Sequence, residues 1–187
     1  LSIASMIALT AVIFGTAYNA GLGMPISMII AVFSGTLCGL FNGLLVTQLQ
    51  IPSIILTIGT LTLYRGIAQS LASDFSLGGY PSWFIGIDYR YIGIVPIPVI
   101  IFTVFAIVVG FFLSSTIYGK QLYLIGTNPQ TAKYSGIKVN RIKLLLFTLS
   151  GLVCGIAGVL TTSRLAVARF NMATGAELEI VLMVMLG

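Results

Sequence analysis

Five long apolar segments restrict the fold of this sequence more than any other feature. They cover roughly residues 1–18, 25–48, 53–73, 92–116 and 142–163, and a sixth begins at residue 178. Each of the five has about the 17–25 residues that a helix needs to cross the hydrocarbon core of a bilayer. Apolar residues occur on all sides of these segments, which is typical of helices surrounded by lipid. We therefore predict an all-α, polytopic bundle of transmembrane helices with about six spans.

The composition supports an integral membrane protein, since 58% of the residues are hydrophobic and only 7% are charged. A soluble domain has about a quarter charged residues. Residues 1–19 lack a basic region and a cleavage site, so they are predicted to form a span and not a signal peptide. We expect a single transmembrane domain over 1–187, truncated at both ends, because the sequence opens at Leu1 and stops within an apolar run.

The net charge of +5 is concentrated in the connection 117–143, which has no acidic residue. The other charged residues of the chain cancel. By the positive-inside rule, this connection is predicted to be cytoplasmic, and the aromatic-rich loop 74–91 is predicted to lie outside, as an interfacial anchor or a short helix on the membrane. The five cations are Lys120, Lys133, Lys138, Arg141 and Lys143.

Small residues recur at a spacing that lets helices approach closely. Glycines four positions apart lie on one face of a helix and favour backbone contact in lipid. This spacing predicts helix packing between the second and fifth segments, through Gly35, Gly39 and Gly43 on one and Gly151 and Gly155 on the other.

A faint similarity links the first and last segments. "LSIASMIAL" at 1–9 and "LEIVLMVML" at 178–186 share residues at four matching offsets. The predicted orientation sends the first outward and the last inward, as an inverted-topology repeat would. The repeat is a hypothesis, since apolar segments match by chance.

Several classes of protein are disfavoured by the residues that the sequence lacks. It has no histidine, two isolated cysteines and no P-loop, so we expect no metal, no bound cofactor and no enzymatic site. Arg65 is the only charged residue inside a complete span, and no carboxylate there is available to carry a coupled proton. Arg65 has two interpretations: it reaches toward the outer interface, or it lines a water-filled path.

The stretch "NPQTAKYSG" predicts a short capped helix within the basic connection. Asn128 is a favoured N-cap, Pro129 fits the first helical position, and Gly136 can end the helix in a left-handed conformation. Two turns are marginal as an isolated helix in water, which suggests that a partner's groove holds them. The alternative is a solvated loop next to anionic lipid.

Five stretches, in order along the chain, resemble motifs of the ABC-importer permeases for ribose-type sugars. They are "LSIAS", "NGLLVTQLQIPSIILTIGTLTLYRG", "LIGTNPQTAKYSGIKV", and the pair "LSGLVCGIAGVL" and "ATGAELEI". The agreement is carried by Asn42, Gly43, Pro52, Thr57, Gly59, Thr60, Arg65 and Gly66, then Gly126, Asn128, Ala132, Gly136 and Ile137, then Ser150, Gly151, Ala157, Gly158, Gly175, Glu177 and Leu178.

The resemblance implies a permease subunit in a bacterial or archaeal cell membrane. Two such subunits would form the path, an extracytoplasmic sugar-binding protein would deliver the substrate, and separate ATPase subunits would hold ATP and magnesium. It implies no nucleic-acid partner. The coupling residues would be Gly126, Asn128, Pro129, Ala132, Lys133 and Gly136, and the candidates for the translocation path are Asn42, Thr57, Thr60, Arg65 and Glu177.

Three alternatives remain open from the sequence. Branched-chain amino acid permeases carry a similar cytoplasmic motif, although "IPSIILTIGTLTLYRG" favours the sugar branch. An ion-coupled secondary transporter and a membrane scaffold without a path are the others. The sequence does not name the transported sugar or signal.

Overall fold

The chain folds almost entirely into helices, as described by a computed structural model for residues 1–73, 75–85, 91–92 and 95–186. The helices are α1 (Ile3–Asn19), α2 (Met24–Gln48), α3 (Ser53–Ala72), α4 (Ser82–Ile85), α5 (Ile97–Ser115), α6 (Ile117–Thr127), α7 (Pro129–Tyr134), α8 (Val139–Leu165) and α9 (Ala176–Leu186). Within these described residues, the only strands are β1 (Tyr91–Ile92) and β2 (Val95–Pro96), which pair antiparallel.

Four of the described helices, α2, α3, α5 and α8, are long and apolar enough to cross a membrane. The shorter α1 is also apolar, and α9 covers the start of the predicted sixth segment. The prediction of an all-α, polytopic membrane fold is therefore confirmed. The largest boundary difference is at α5, which starts at Ile97 because β2 occupies the residues before it.

The glycine rows of α2 and α8 face each other along the most extensive helix contact of the bundle. A Cβ atom on Gly35 would lie 2.6 Å from the carbonyl oxygen of Gly151, and one on Gly155 would lie 2.7 Å from Cα of Val32. No side chain fits at such separations, so the two backbones are in direct contact. The small residues thus set the distance between the helices.

A buried polar cluster links α1, α2 and α3. The Asn42 side chain is 1% exposed, and its Nδ2 donates to Oγ of Ser2 at 3.1 Å. The hydroxyl of Tyr64 is placed 2.9 Å from Oδ1 of Asn42 and 3.0 Å from the carbonyl oxygen of Cys38. A buried amide without partners is costly in an apolar surrounding, so this cluster fixes how the three helices fit together.

At the opposite end from α7, the loop after α3 closes over the bundle. Leu77 and Ala168 exchange both backbone hydrogen bonds, at 3.0 and 2.8 Å. Phe84 of α4 is fully buried, and its carbonyl oxygen accepts from Oγ of Ser163 at 2.5 Å. The short helix predicted in this loop is present as α4, whereas residues 86–90 of the loop lie outside the described residues.

The aromatic residues of this loop divide between the interior and the surface. Tyr80 is 6% exposed, and its ring packs in a tilted arrangement against that of Phe14, whereas Trp83 is 48% exposed. Burial raises the pKa of the Tyr80 hydroxyl to about 12, with a smaller contribution from Tyr18. Only part of this loop therefore has the exposure that an interfacial anchor requires.

Candidate functional site

The short helix α7 begins with the predicted cap. Asn128 is extended, and its Oδ1 accepts from the backbone N–H of Gln130 at 2.9 Å and of Thr131 at 3.2 Å. Pro129 occupies the first turn, where its missing N–H leaves no bond unmade. Two of the N–H groups that a helix start leaves without partners are thus satisfied by one side chain.

The other end of α7 is closed by Gly136, whose φ of +79° is in the left-handed region. Its N–H donates to the carbonyl oxygen of Lys133 at 3.1 Å, and the N–H of Ile137 donates to that of Ala132 at 3.1 Å. These bonds satisfy carbonyl groups that the helix end leaves open. The helix predicted over 129–135 is therefore present and capped at both ends.

One side of α7 is anchored and the other is open. Ala132 is 2% exposed, whereas Tyr134 is 89% exposed and Lys133 is also exposed. The helix contacts both α6 and α8. A force applied to its open side would therefore reach the two flanking helices. Gly126, in the last turn of α6, has open space where a Cβ would be, so packing does not account for that glycine.

A cleft of about 960 Å³ lies beside α7, and we call it the basic cleft. One wall is the turn between α2 and α3, and the other is formed by α7, the following turn and the start of α8. None of the residues lining it is acidic, and all of them belong to the described part of the chain. Its cations are Lys133, Lys138, Arg141 and Lys143.

An ion pair joins α3 to the start of α9. Nη2 of Arg65 lies 2.8 Å from Oε1 of Glu177, and the two side chains are 25% and 10% exposed. The second carboxylate oxygen, Oε2, accepts from the N–H of Gly175 at 2.8 Å. Nε of Arg65 is buried and has no hydrogen-bond partner.

The ion pair gives Arg65 a partner within the bundle, and both interpretations of this residue stay predictions. Arg65 lies twelve residues into α3, about 18 Å along the helix axis at 1.5 Å per residue. Its guanidinium engages a carboxylate that is distant in sequence. The sequence makes both Arg65 and Glu177 candidates for the translocation path, but no local pattern predicts that they form an ion pair.

The other path candidates face the interior of the described bundle. Thr57 and Thr60 are 8% and 4% exposed, and their hydroxyls donate to carbonyl oxygens of their own helix at 3.1 and 3.4 Å. Asn42 is satisfied within the polar cluster described above. None of these three side chains lines the basic cleft beside α7, and their part in a path stays a prediction.

Comparison with known proteins places the chain among permeases. The family model described as "Branched-chain amino acid transport system / permease component" matches residues 1–187. The autoinducer 2 import system permease protein LsrC of Enterobacter sp. (strain 638) is 33% identical over 189 residues, covering 100% of this chain and 54% of the relative. LsrD of Escherichia coli (strain K12) is 32% identical over 195 residues, covering 100% and 58%.

The chain thus spans somewhat more than half the length of the curated relatives it matches. No solved structure shows significant similarity to it.

Proposed function

Because the chain belongs to the family of branched-chain amino acid transport system permease components, we propose that it forms part of the membrane path of an ATP-driven importer. Its relatives are transport components and not enzymes. An ABC importer permease works with an ATPase and a substrate-binding partner. We place ATP and magnesium on that separate ATPase subunit, and we assign the path to a pair of permease subunits.

The proposed substrate is a simple sugar or a sugar-like signal. Relatives that align along the whole chain at 32–33% identity are named as autoinducer 2 import permeases. The family description instead names branched-chain amino acids, which makes those the second candidate. ATP-dependent uptake of labelled ribose and of labelled leucine by membrane vesicles of the complete transporter separates the two. If autoinducer 2 competes with labelled ribose for uptake, the result would favour a sugar-like signal over a pentose as the substrate.

The observation that carries the proposal is α7, a helix of six residues capped at both ends beside a strongly basic surface. Its exposed side carries Lys133 and Tyr134, and its buried side contacts α6 and α8. We propose that the exposed side docks in a groove of the ATPase. Motion of the ATPase would then pass to the spans through a rigid contact.

The same surface supports the orientation that we propose. Five cations share the end of the bundle that bears α7, and the positive-inside rule places such an end in the cytoplasm. The loop that closes over the other end would then face the extracytoplasmic binding protein. We propose a location in the cell membrane on this basis.

Replacement of Gly136 by proline tests the docking of α7. Proline fixes φ near −65° and has no N–H, so it is incompatible with the φ of +79° and with the bond to Lys133. We expect reduced ATPase association and transport with normal membrane insertion. Gly21→Pro is the matched control, because Gly21 also has a positive φ, +85°, and donates to Tyr18, three residues back, at 2.9 Å.

Charge reversal at Lys133 is the second variant of the same test. Substrate-stimulated ATPase activity in vesicles that is unchanged in both Gly136→Pro and Lys133→Glu would contradict docking through α7. Uptake that persists without any ATPase subunit and stops with an ionophore would instead indicate an ion-coupled transporter.

A further inference from the structure

The basic cleft has two chemically different walls. The side formed by α7 and the start of α8 carries the four cations named above. The facing side, at the ends of α2 and α3, contributes the apolar side chains Val46, Ile51 and Ile54 beside the polar Thr47, Gln50 and Ser53, and Phe147 adds an apolar side chain from the third turn of α8. We call the surface formed by Val46, Ile51, Ile54 and Phe147 the apolar floor of the cleft; it lies opposite or beside the cations at the ends of three helices.

The positive charge of the cleft is not balanced by the described part of the chain. The carboxylates of Glu177 and Glu179 are on α9, which follows the far end of α8. Four cations within one concave surface attract an anion, and an ammonium or guanidinium binds phosphate strongly when the site also excludes part of the water.

The walls of the cleft are held in place by the fold. Nδ2 of Asn140 donates to the carbonyl oxygen of Thr47 at 3.4 Å, which ties the start of α8 to the end of α2. Gln50, in the turn between α2 and α3, has a φ of +53°, a conformation that side-chain-bearing residues rarely adopt. Such a conformation persists where surrounding contacts impose it. The bond between Asn140 and Thr47 thus links the two walls of the cleft.

We propose that the basic cleft binds one anionic phospholipid, with its phosphate against Lys138, Arg141 and Lys143 and its acyl chains along the apolar floor. Basic pockets between transmembrane helices are suited to phospholipid headgroups on the cytoplasmic side. A free phosphate would use the cations alone and leave the apolar floor without a role. A docked protein segment would need carboxylates aligned with the cations and would displace the lipid.

The test uses the purified full-length permease without ATPase, examined by native mass spectrometry with phosphatidylglycerol or phosphatidylcholine. We expect one phosphatidylglycerol to be retained in preference to phosphatidylcholine. Replacing Lys138, Arg141 and Lys143 by glutamine should weaken retention on the order of a hundredfold, because each cation near an anionic lipid contributes about a factor of five. Lys120→Gln removes a charge near the same membrane surface but outside the cleft, and it should leave retention unchanged.

A second variant, Ile54→Ser, tests the apolar floor without altering charge, and it should weaken phosphatidylglycerol but not inorganic phosphate. The melting temperature of each variant reports whether it is folded. The proposal would be overturned if both lipids were retained equally, or if Lys120→Gln and Arg141→Gln lost equal amounts of bound phosphatidylglycerol. It would also be overturned if millimolar inorganic phosphate displaced the lipid, or if the ATPase subunit displaced it. The last would assign the cleft to protein docking, and it is distinct from a failure of α7 to dock.

Discussion

The interior of the bundle differs from its basic face, the surface near α7, in whether charged and polar groups have partners within the chain. The basic face carries Lys120, Lys133, Lys138, Arg141 and Lys143. Inside, Asn42 and Tyr64 satisfy each other, and Arg65 has Glu177. At the basic face, five cations have no salt-bridge partner among the described residues. A charge in an apolar surrounding is tolerated only with a partner, whereas a solvated charge needs none. Changes inside should therefore alter stability, and changes at the basic face should alter association with partners.

Gly39→Leu should have the largest effect, because it acts on the interior where two backbones touch. A Cβ on Gly39 would lie 2.8 Å from Cα of Gly151, so α2 and α8 would have to separate. We expect a loss of about 3 kcal/mol or more in the free energy of unfolding, at the upper end of the cost of overpacking. Size-exclusion chromatography and thermal unfolding measure it.

Gly110→Leu is the control for Gly39→Leu, since a Cβ at Gly110 of α5 meets no atom within 4 Å. The two substitutions add the same side chain to an apolar helix. Similar melting temperatures for both would contradict the close contact between α2 and α8.

Glu177→Ala should rank second, because it leaves the Arg65 guanidinium without its carboxylate. We expect a loss of about 2 kcal/mol, below the 3–5 kcal/mol typical of fully buried pairs, because Arg65 is one-quarter exposed. Glu179→Ala, two residues further along α9 and exposed, should change the melting temperature little.

The exchange of the two charges sharpens this prediction. Arg65→Glu combined with Glu177→Arg should recover part of the stability that either single change removes, because the attraction is restored with reversed polarity. A double variant less stable than both single variants would show that the pair does not stabilise the contact between α3 and α9.

Asn128→Ala should have the smallest effect on stability and act instead on the basic face. It removes the acceptor for two N–H groups of α7, which costs about 1 kcal/mol of local helix stability. We expect an unchanged melting temperature and about fivefold weaker ATPase binding, which is the same free energy expressed as an affinity. Thr116→Ala removes a comparable cap outside α7, where the hydroxyl accepts from the N–H of Gly119 at 3.2 Å, and its ATPase binding should match the wild type. A lower melting temperature with unchanged ATPase binding would contradict our assignment of stability to the interior and of association to the basic face.

The sequence was sufficient where the structure depends on local patterns. Spans follow from runs of apolar residues, and α7 follows from the order of Asn128, Pro129 and Gly136, because capping needs only neighbours along the chain. The sequence also predicts the contact between the glycine rows of α2 and α8, because each row shows its own regular spacing. These features need no knowledge of how distant segments meet.

The sequence was insufficient where distant segments determine the outcome. The ion pair of Arg65 joins residues 112 positions apart. Asn42 belongs to a sequence motif, but only the fold shows that its amide bonds to Ser2 and Tyr64 in a buried cluster. Similarly, the aromatic loop suggested an interface, but Phe84 is buried because the loop closes over α1 and α8. Burial depends on tertiary contacts that composition does not record.

Site-specific photocrosslinking from α7 tests most directly the claim that the basic face serves association. A photoreactive amino acid replaces Tyr134, which is 89% exposed, in the complete transporter in vesicles. The same residue at Leu22, which is 45% exposed at the other end of the bundle, is the control. We predict crosslinks from position 134 to the ATPase subunit that change with ATP, and none from position 22. Crosslinks from position 134 to lipid alone, with the ATPase bound and active, would contradict the account.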